Sequence, residues 1–150
     1  MEFVGFPVTI TDDELEQTVI NVLDRIDIKL NDRDIQSCHR LRAKDRTIVK
    51  FSNRKDSLLI LRSKNKLKNL TFEDLGIPEN TNLYINESLC PYYRGIWNRC
   101  KWLKANKNIN SFYTINGVVK IKIKETSSAK SITHVNDLVE MFPDIDFDIK

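Results

Sequence analysis

The order of the elements predicted for residues 2–85 constrains the fold more than any other feature of this chain. Glu2–Phe6 is short and apolar and is followed by Pro7, which predicts a strand. An acidic turn then begins at Thr11, and the apolar stripe from Leu15 to Ile26 predicts an amphipathic helix. The chain therefore opens with a strand and a helix.

The same alternation continues to residue 85. Ile35–Leu41 and Thr47–Phe51 predict two strands around the polar turn 42–46, residues 54–68 return to helical spacing, and Leu83–Ile85 predicts a fourth strand. The order β-α-β-β-α-β is the split-βαβ pattern, in which two helices back a four-stranded sheet. We therefore expect an α+β fold with a first domain over residues 1–89.

Residues 90–150 predict a small second domain. Pro91 suits the first turn of a helix, and the apolar side chains that follow share one face of that helix. Asn116-Gly117 lies between two segments of strand character and predicts a hairpin. Residues 125–133 are expected to form a polar loop, and Thr133 or Asn136 to cap a last helix. The lobe is thus predicted as α-β-β-α with an acidic tail.

The second strand of this hairpin has two different faces. Lys120, Lys122 and Lys124 alternate with apolar residues, so one face is predicted to pack and the other to carry a row of ammonium groups. The lysines are spaced about 6.6–7 Å apart along the β-strand, which is roughly the spacing of successive phosphates in an extended nucleic-acid strand. Such a row also serves solubility and protects sheet edges, and this alternative stays open.

Charge is distributed unevenly along the chain. The formal net charge is only +3, but residues 1–39 carry −6, residues 40–124 carry +13 and residues 125–150 carry −4. Residues 90–124 contain eight Lys or Arg and no acidic residue. Basic side chains interleaved with aromatic ones suit a surface that neutralises phosphates and stacks bases. The near-neutral total therefore does not exclude a polyanionic partner.

Several strings occur in a fixed order along residues 2–142: Phe3-Val4-Gly5-Phe6-Pro7, Cys38-His39-Arg40-Leu41, Thr47-Ile48-Val49-Lys50-Phe51, Ile60-Leu61-Arg62 and Leu83-Tyr84-Ile85-Asn86-Glu87-Ser88-Leu89-Cys90-Pro91-Tyr92. Together they resemble the first open-reading-frame protein of LINE-type retrotransposons and the related baculovirus few-polyhedra protein. The resemblance implies an RNA-recognition-motif (RRM)-like domain followed by a small C-terminal domain. It also implies binding of single-stranded RNA or DNA, ribonucleoprotein assembly, nucleic-acid chaperone behaviour, and self-association through an upstream coiled coil that this chain lacks.

The candidate binding residues come from three segments. The positions at which a typical RRM carries stacking aromatic residues hold Arg46 and Ile48, while Phe3 is expected either to stack or to be core, so we expect charge to dominate over base reading. The resemblance implies basic contacts on the turn after the second strand and on the helix after Pro91. The candidates are Arg40, Arg42, Lys44, Arg46, Arg94, Arg99, Lys101, Trp102, Tyr113, Lys120, Lys122 and Lys124.

Several of these candidates have a plainer alternative. The basic turn suits a solvated loop, Trp102 suits a partner contact, and Tyr113 suits cross-strand packing. An interaction or oligomerisation module of a virus-like or domesticated protein is the alternative function, with the basic face docking an acidic partner.

Other function classes find no support in the sequence. With four glycines there is no phosphate-cradling loop, and Asp144–Asp148 lacks the Gly and closing Glu of a calcium loop. We expect no catalytic constellation, metal site or cofactor. Three widely spaced cysteines, no signal peptide and no apolar run of membrane-spanning length predict an intracellular protein, cytoplasmic or nuclear and not secreted.

Overall fold

A computed structural model describes residues 1–43 and 45–147 of the 150-residue chain. The chain divides into two compact units, Met1–Ser88 and Leu89–Lys150. The first contains a four-stranded antiparallel sheet and the second a three-stranded sheet, each with helices of its own. The prediction of an α+β fold is confirmed.

The first unit has the predicted order of strands and helices. Its elements are β1 (Glu2–Val4), α1 (Leu15–Asp24), β2 (Ile35–Arg40), β3 (Arg46–Phe51), α2 (Arg54–Ser63) and β4 (Tyr84–Asn86). The strands lie in the order β2-β3-β1-β4, and every neighbouring pair is antiparallel. The second helix is shorter than predicted, because Lys64–Asn69 continues as a 3-10 helix.

Strand β1 ends earlier than the sequence predicts, because the chain turns at Gly5. Gly5 has a φ of +99°, and the N–H groups of Gly5 and Phe6 both donate to the carbonyl of Asp45, at 2.9 and 3.0 Å. A Cβ atom at position 5 would lie 2.1 Å from the carbonyl oxygen of Asn82. Only glycine fits both the dihedral angle and the close backbone approach at this position.

The core of the first unit lies between its sheet and its helices. Phe3 is fully buried and packs edge-on against Phe6, with ring centroids 6.1 Å apart. Because side chains alternate along a strand, the neighbours of Phe3 on β1, Glu2 and Val4, belong to the opposite face of the sheet. Of the two roles expected for Phe3, the structure shows the core one.

The second unit is built around the predicted hairpin. It consists of α3 (Pro91–Ala105), β5 (Ser111–Ile115), β6 (Val118–Lys122), β7 (Lys130–Ile132) and α4 (Val135–Met141). Asn116 and Gly117 have φ angles of 52° and 78°, the positive pair that a type I′ turn requires. The hairpin prediction is confirmed.

The prediction that residues 125–133 form only a polar loop is wrong, because β7 pairs with β6 and extends the sheet to three strands. Ile132 is fully buried, so this edge strand is held by one apolar side chain and by backbone pairing with β6. A run with a single apolar residue has too little alternation to predict a strand.

Two smaller differences lie beside this strand. Strand β6 ends at Lys122, which leaves Lys124 in the turn that follows. The cap of α4 is His134, neither Thr133 nor Asn136, and Asp137 accepts hydrogen bonds from the N–H groups of His134 and Thr133. The hydroxyl of Thr133 donates a third hydrogen bond to Asp137, and the three hydrogen bonds lower the pKa of the Asp137 carboxyl.

The predicted acidic tail is in part a packed segment. Phe147 is 2% exposed and joins the core of the second unit, with Ile145 half-buried beside it. The Nε of Arg99 donates to the carbonyl of Phe147 at 3.2 Å and fixes the segment against α3. Asp148 lies outside the described residues. Among the described helices, none combines the length and the apolar character needed to cross a membrane.

Candidate nucleic-acid interface

Arg40 holds the loop between β1 and α1 in place by hydrogen bonds. Its guanidinium donates to the carbonyls of Phe6, Pro7 and Ile10, at 2.7 Å in the case of Pro7, and lies 3.8 Å from a carboxylate oxygen of Asp12. Only 13% of the side chain is exposed. These contacts give Arg40 a structural role and leave few of its donors for a phosphate.

The rest of the predicted basic turn is mixed. Arg42 is exposed, whereas Lys44 lies outside the described residues. Arg46 belongs to β3 and forms an ion pair with Glu2, whose side chain is 4% exposed, at 3.1 Å. The carboxylate offsets the charge of Arg46, so of the described residues of this turn Arg42 alone offers an exposed cation.

The sheet face of the first unit that points away from the helices carries one side chain that sequence reasoning missed. Tyr84 on β4 is 56% exposed and is paired with Val4, which is itself paired with Arg46. Tyr84, Val4 and Arg46 therefore form one row across the sheet, with an aromatic ring at one end and a guanidinium at the other. The alternation of Tyr84 with the apolar Leu83 and Ile85 was the available signal.

The candidates on α3 fall into two groups. Lys101 is exposed, and Arg94 is half-buried. Arg99 is bound to the carbonyls of Gly95 and Phe147 and serves the fold of the unit. Trp102 is half-buried and packs against the core cluster of the second unit. Part of the Trp102 side chain therefore serves the core of the unit.

The hairpin presents the most ordered group of candidates. Tyr113 on β5 is directly paired with Lys120 on β6, and Lys122 is paired with Ser111 in the next row. Their neighbours along each strand, Phe112, Val119 and Ile121, face α3 and the core. Tyr113, Lys120 and Lys122 thus share the face of the sheet that points away from α3, which we call the lysine face.

The lysine face has no acidic side chain. The other positions on it are Ser111, Ile115, Val118 and Ser131. Among the described residues, no carboxylate lies within 4.0 Å of the ammonium group of Lys120 or Lys122. Among the described residues, therefore, no ion pair neutralises these two charges, the condition under which a polyanion gains affinity by counterion release.

Lys124 leaves this row and joins a different group. The turn after β6 brings it to a surface depression together with Lys104, Lys107, Ile109, Asn110, Ile123 and Glu125. We call this the lysine depression. No sequence pattern singles out Lys104 and Lys107, because they meet Lys124 only through the fold of the α3–β5 connection.

No protein-family model matches the chain, and a search of curated proteins found no match.

Proposed function

We propose that the chain is a non-enzymatic protein that binds single-stranded nucleic acid, RNA and in addition DNA, largely without regard to sequence. The observation that carries the proposal is the pairing of Tyr113 with Lys120, next to Lys122, on a face without carboxylates. An aromatic ring stacks any base, and the ammonium groups neutralise backbone phosphates. Binding of this kind suits ribonucleoprotein assembly and a nucleic-acid chaperone of the retrotransposon type.

The first unit is proposed as an RRM-like domain that assists this binding. Support comes from the sheet order β2-β3-β1-β4, which the split-βαβ pattern requires, with both helices on one face. The opposite face holds Ile48 and the Arg46–Glu2 ion pair at its centre. Tyr84 supplies a ring at the edge strand. A face of this composition favours weak, sequence-tolerant contacts over base reading.

Fluorescence anisotropy with a labelled, unstructured oligonucleotide tests the proposal. Affinity is expected to fall steeply between about 50 mM and 200 mM salt, with a slope of roughly −0.7 per neutralised phosphate. The double variant K120Q/K122Q is compared with K55Q, which removes an exposed lysine from α2. The double variant is expected to lose most of the affinity and K55Q little of it. Absence of binding by the unaltered protein at low salt would overturn the proposal.

A further inference from the structure

The lysine depression assembles three lysines from two separate segments. Lys104 lies in the last turn of α3 and Lys107 two residues beyond the end of that helix, whereas Lys124 lies two residues beyond the end of β6. The nearly buried Ile109, which is 4% exposed, and Asn110, whose side chain carries an amide, also line the depression. The depression thus combines three cationic side chains with an amide and apolar side chains.

The backbone around the depression is fixed by hydrogen bonds. Lys107 has a φ of +60° and donates its N–H to the carbonyl of Lys104 at 3.0 Å. The N–H of Asn110 donates to the carbonyls of Lys122 and Ile123 at 2.9 and 3.1 Å. On the opposite side, the N–H of Lys124 donates to the hydroxyl of Ser127 at 3.0 Å, and that hydroxyl donates back to the carbonyl of Lys124. The positions of the three lysine backbones are therefore set before any ligand arrives.

The charges in the depression are not balanced by ion pairs within the described protein. Glu125 is its single acidic lining residue, against three ammonium groups. Within residues 1–43 and 45–147, none of these lysines lies within 4.0 Å of a carboxylate oxygen. Like charges held near one another repel, and an anion placed between them relieves that repulsion.

The depression continues from the end of the lysine face. Asn110 directly precedes Ser111, the partner of Lys122, and Ile123 directly follows Lys122. A nucleic-acid strand that runs along the lysine face from Tyr113 past Lys122 therefore reaches the depression within about one residue repeat beyond Lys122, roughly 3.4 Å.

We propose that the lysine depression is a discrete phosphate-binding site that holds one phosphate group of the bound strand. The inference rests on the proposed function and deepens it. A phosphate offers several strong acceptor oxygens, and ammonium groups and an amide are all donors, so the donor set suits this ligand. The same chemistry serves a terminal phosphate monoester or an internal phosphodiester.

The direct test is titration of the full chain with inorganic phosphate, followed by amide NMR at constant ionic strength with chloride as reference. The amide resonances of Asn110 and Lys124 are expected to shift saturably in the unaltered protein and in K130Q, which alters an exposed lysine of β7 outside the depression. In K104Q/K107Q the shifts are expected to disappear. Equal shifts with phosphate and chloride in the unaltered protein would overturn the inference.

Oligonucleotide binding separates this inference from the proposed function. K104Q/K107Q is expected to reduce the magnitude of the salt slope by roughly 0.7, the contribution of one phosphate, and a slope unchanged from that of K130Q would overturn the inference. An advantage of a 5′-phosphorylated oligonucleotide that the double variant abolishes identifies a terminal phosphate, and an equal loss with both oligonucleotides identifies an internal one. Phosphate shifts without oligonucleotide binding would overturn the proposed function and support the phosphate site.

Discussion

Tyr113 and Lys120 are directly opposite each other on neighbouring antiparallel strands, so that ring and ammonium group stand side by side on one face of the sheet. The type I′ turn at Asn116-Gly117 fixes this register, because a two-residue loop leaves no freedom to slip. A shift of one residue would exchange the lysine face with the core face. Hydrophobic burial of Val119 and Ile121 therefore also determines where the cations stand.

The ring of Tyr113 is predicted to contribute by stacking. Tyr113→Ala is expected to weaken oligonucleotide binding by roughly 1–3 kcal/mol, because that is the usual contribution of one base stacked on an aromatic ring. Tyr113→Phe keeps the ring and is expected to bind within about twofold of the unaltered protein, by the same reasoning. Fluorescence anisotropy measures both, and thermal unfolding of each variant controls for folding. Equal losses in the two variants would assign the effect to the hydroxyl and refute stacking.

Lys122 is predicted to act as a point charge on the phosphate backbone. Reversal in Lys122→Glu is expected to weaken binding of unrelated oligonucleotide sequences by the same factor, since phosphates carry no base information. Affinities for a pyrimidine-rich and a purine-rich strand provide the comparison, with Lys122→Arg as the variant that keeps the charge. A loss restricted to one sequence would contradict backbone contact.

Substitutions of Arg40 and Arg42 are predicted to change different quantities, the free energy of unfolding for Arg40 and the oligonucleotide affinity for Arg42. Arg40→Gln is expected to lower the free energy of unfolding by roughly 1.5–3 kcal/mol, because it removes charged donors from three backbone carbonyls. Arg42→Gln replaces an exposed side chain and is expected to change stability by less than about 0.5 kcal/mol while lowering oligonucleotide affinity. Urea unfolding and anisotropy provide the two readouts. If the Arg40→Gln protein were as stable as the unaltered protein but bound the oligonucleotide less tightly, Arg40 would be assigned to the nucleic-acid interface.

Local signals predicted the fold well, and contacts between distant segments account for what they missed. The Asn116-Gly117 turn and the succession of strands and helices along the first unit depend on neighbouring residues and on alternation. The structural role of Arg40 depends on hydrogen bonds to carbonyls about thirty residues earlier in the chain, and no local sequence pattern predicts such contacts. Lys104 and Lys107 become candidates only because the α3–β5 connection brings them to Lys124.

Thr47 offers a test of packing at the centre of the first sheet. The residue is fully buried, and its Oγ1 has no hydrogen-bond partner among the described residues. Thr47→Val removes this unsatisfied hydroxyl and is expected to raise the free energy of unfolding by about 1 kcal/mol. Thr47→Ser keeps the hydroxyl, loses a buried methyl group and is expected to lower it by about 1 kcal/mol. Destabilisation by both variants in urea would show that the hydroxyl is bonded.

The three cysteines are predicted to differ sharply in reactivity. Burial raises the pKa of Cys100 to about 12, so that at pH 8 only about one thiol in ten thousand is ionised. Burial, and then the charge of Glu16, raises the pKa of Cys38 to about 11, with Arg40 opposing the shift. Cys90 is exposed at the start of α3.

A disulfide reagent at pH 8 is therefore expected to modify Cys90 quickly, the half-buried Cys38 much more slowly, and the buried Cys100 most slowly of the three. Peptide mass spectrometry identifies the site, and Cys90→Ser is expected to abolish the fast phase. Because a raised pKa keeps a thiol protonated until the pH approaches that value, the slow thiols should gain reactivity as the pH rises from 8 toward 11, Cys38 before Cys100. Rapid modification of Cys100 at pH 8 would show that the second unit opens readily, since its thiol is otherwise sealed in the core.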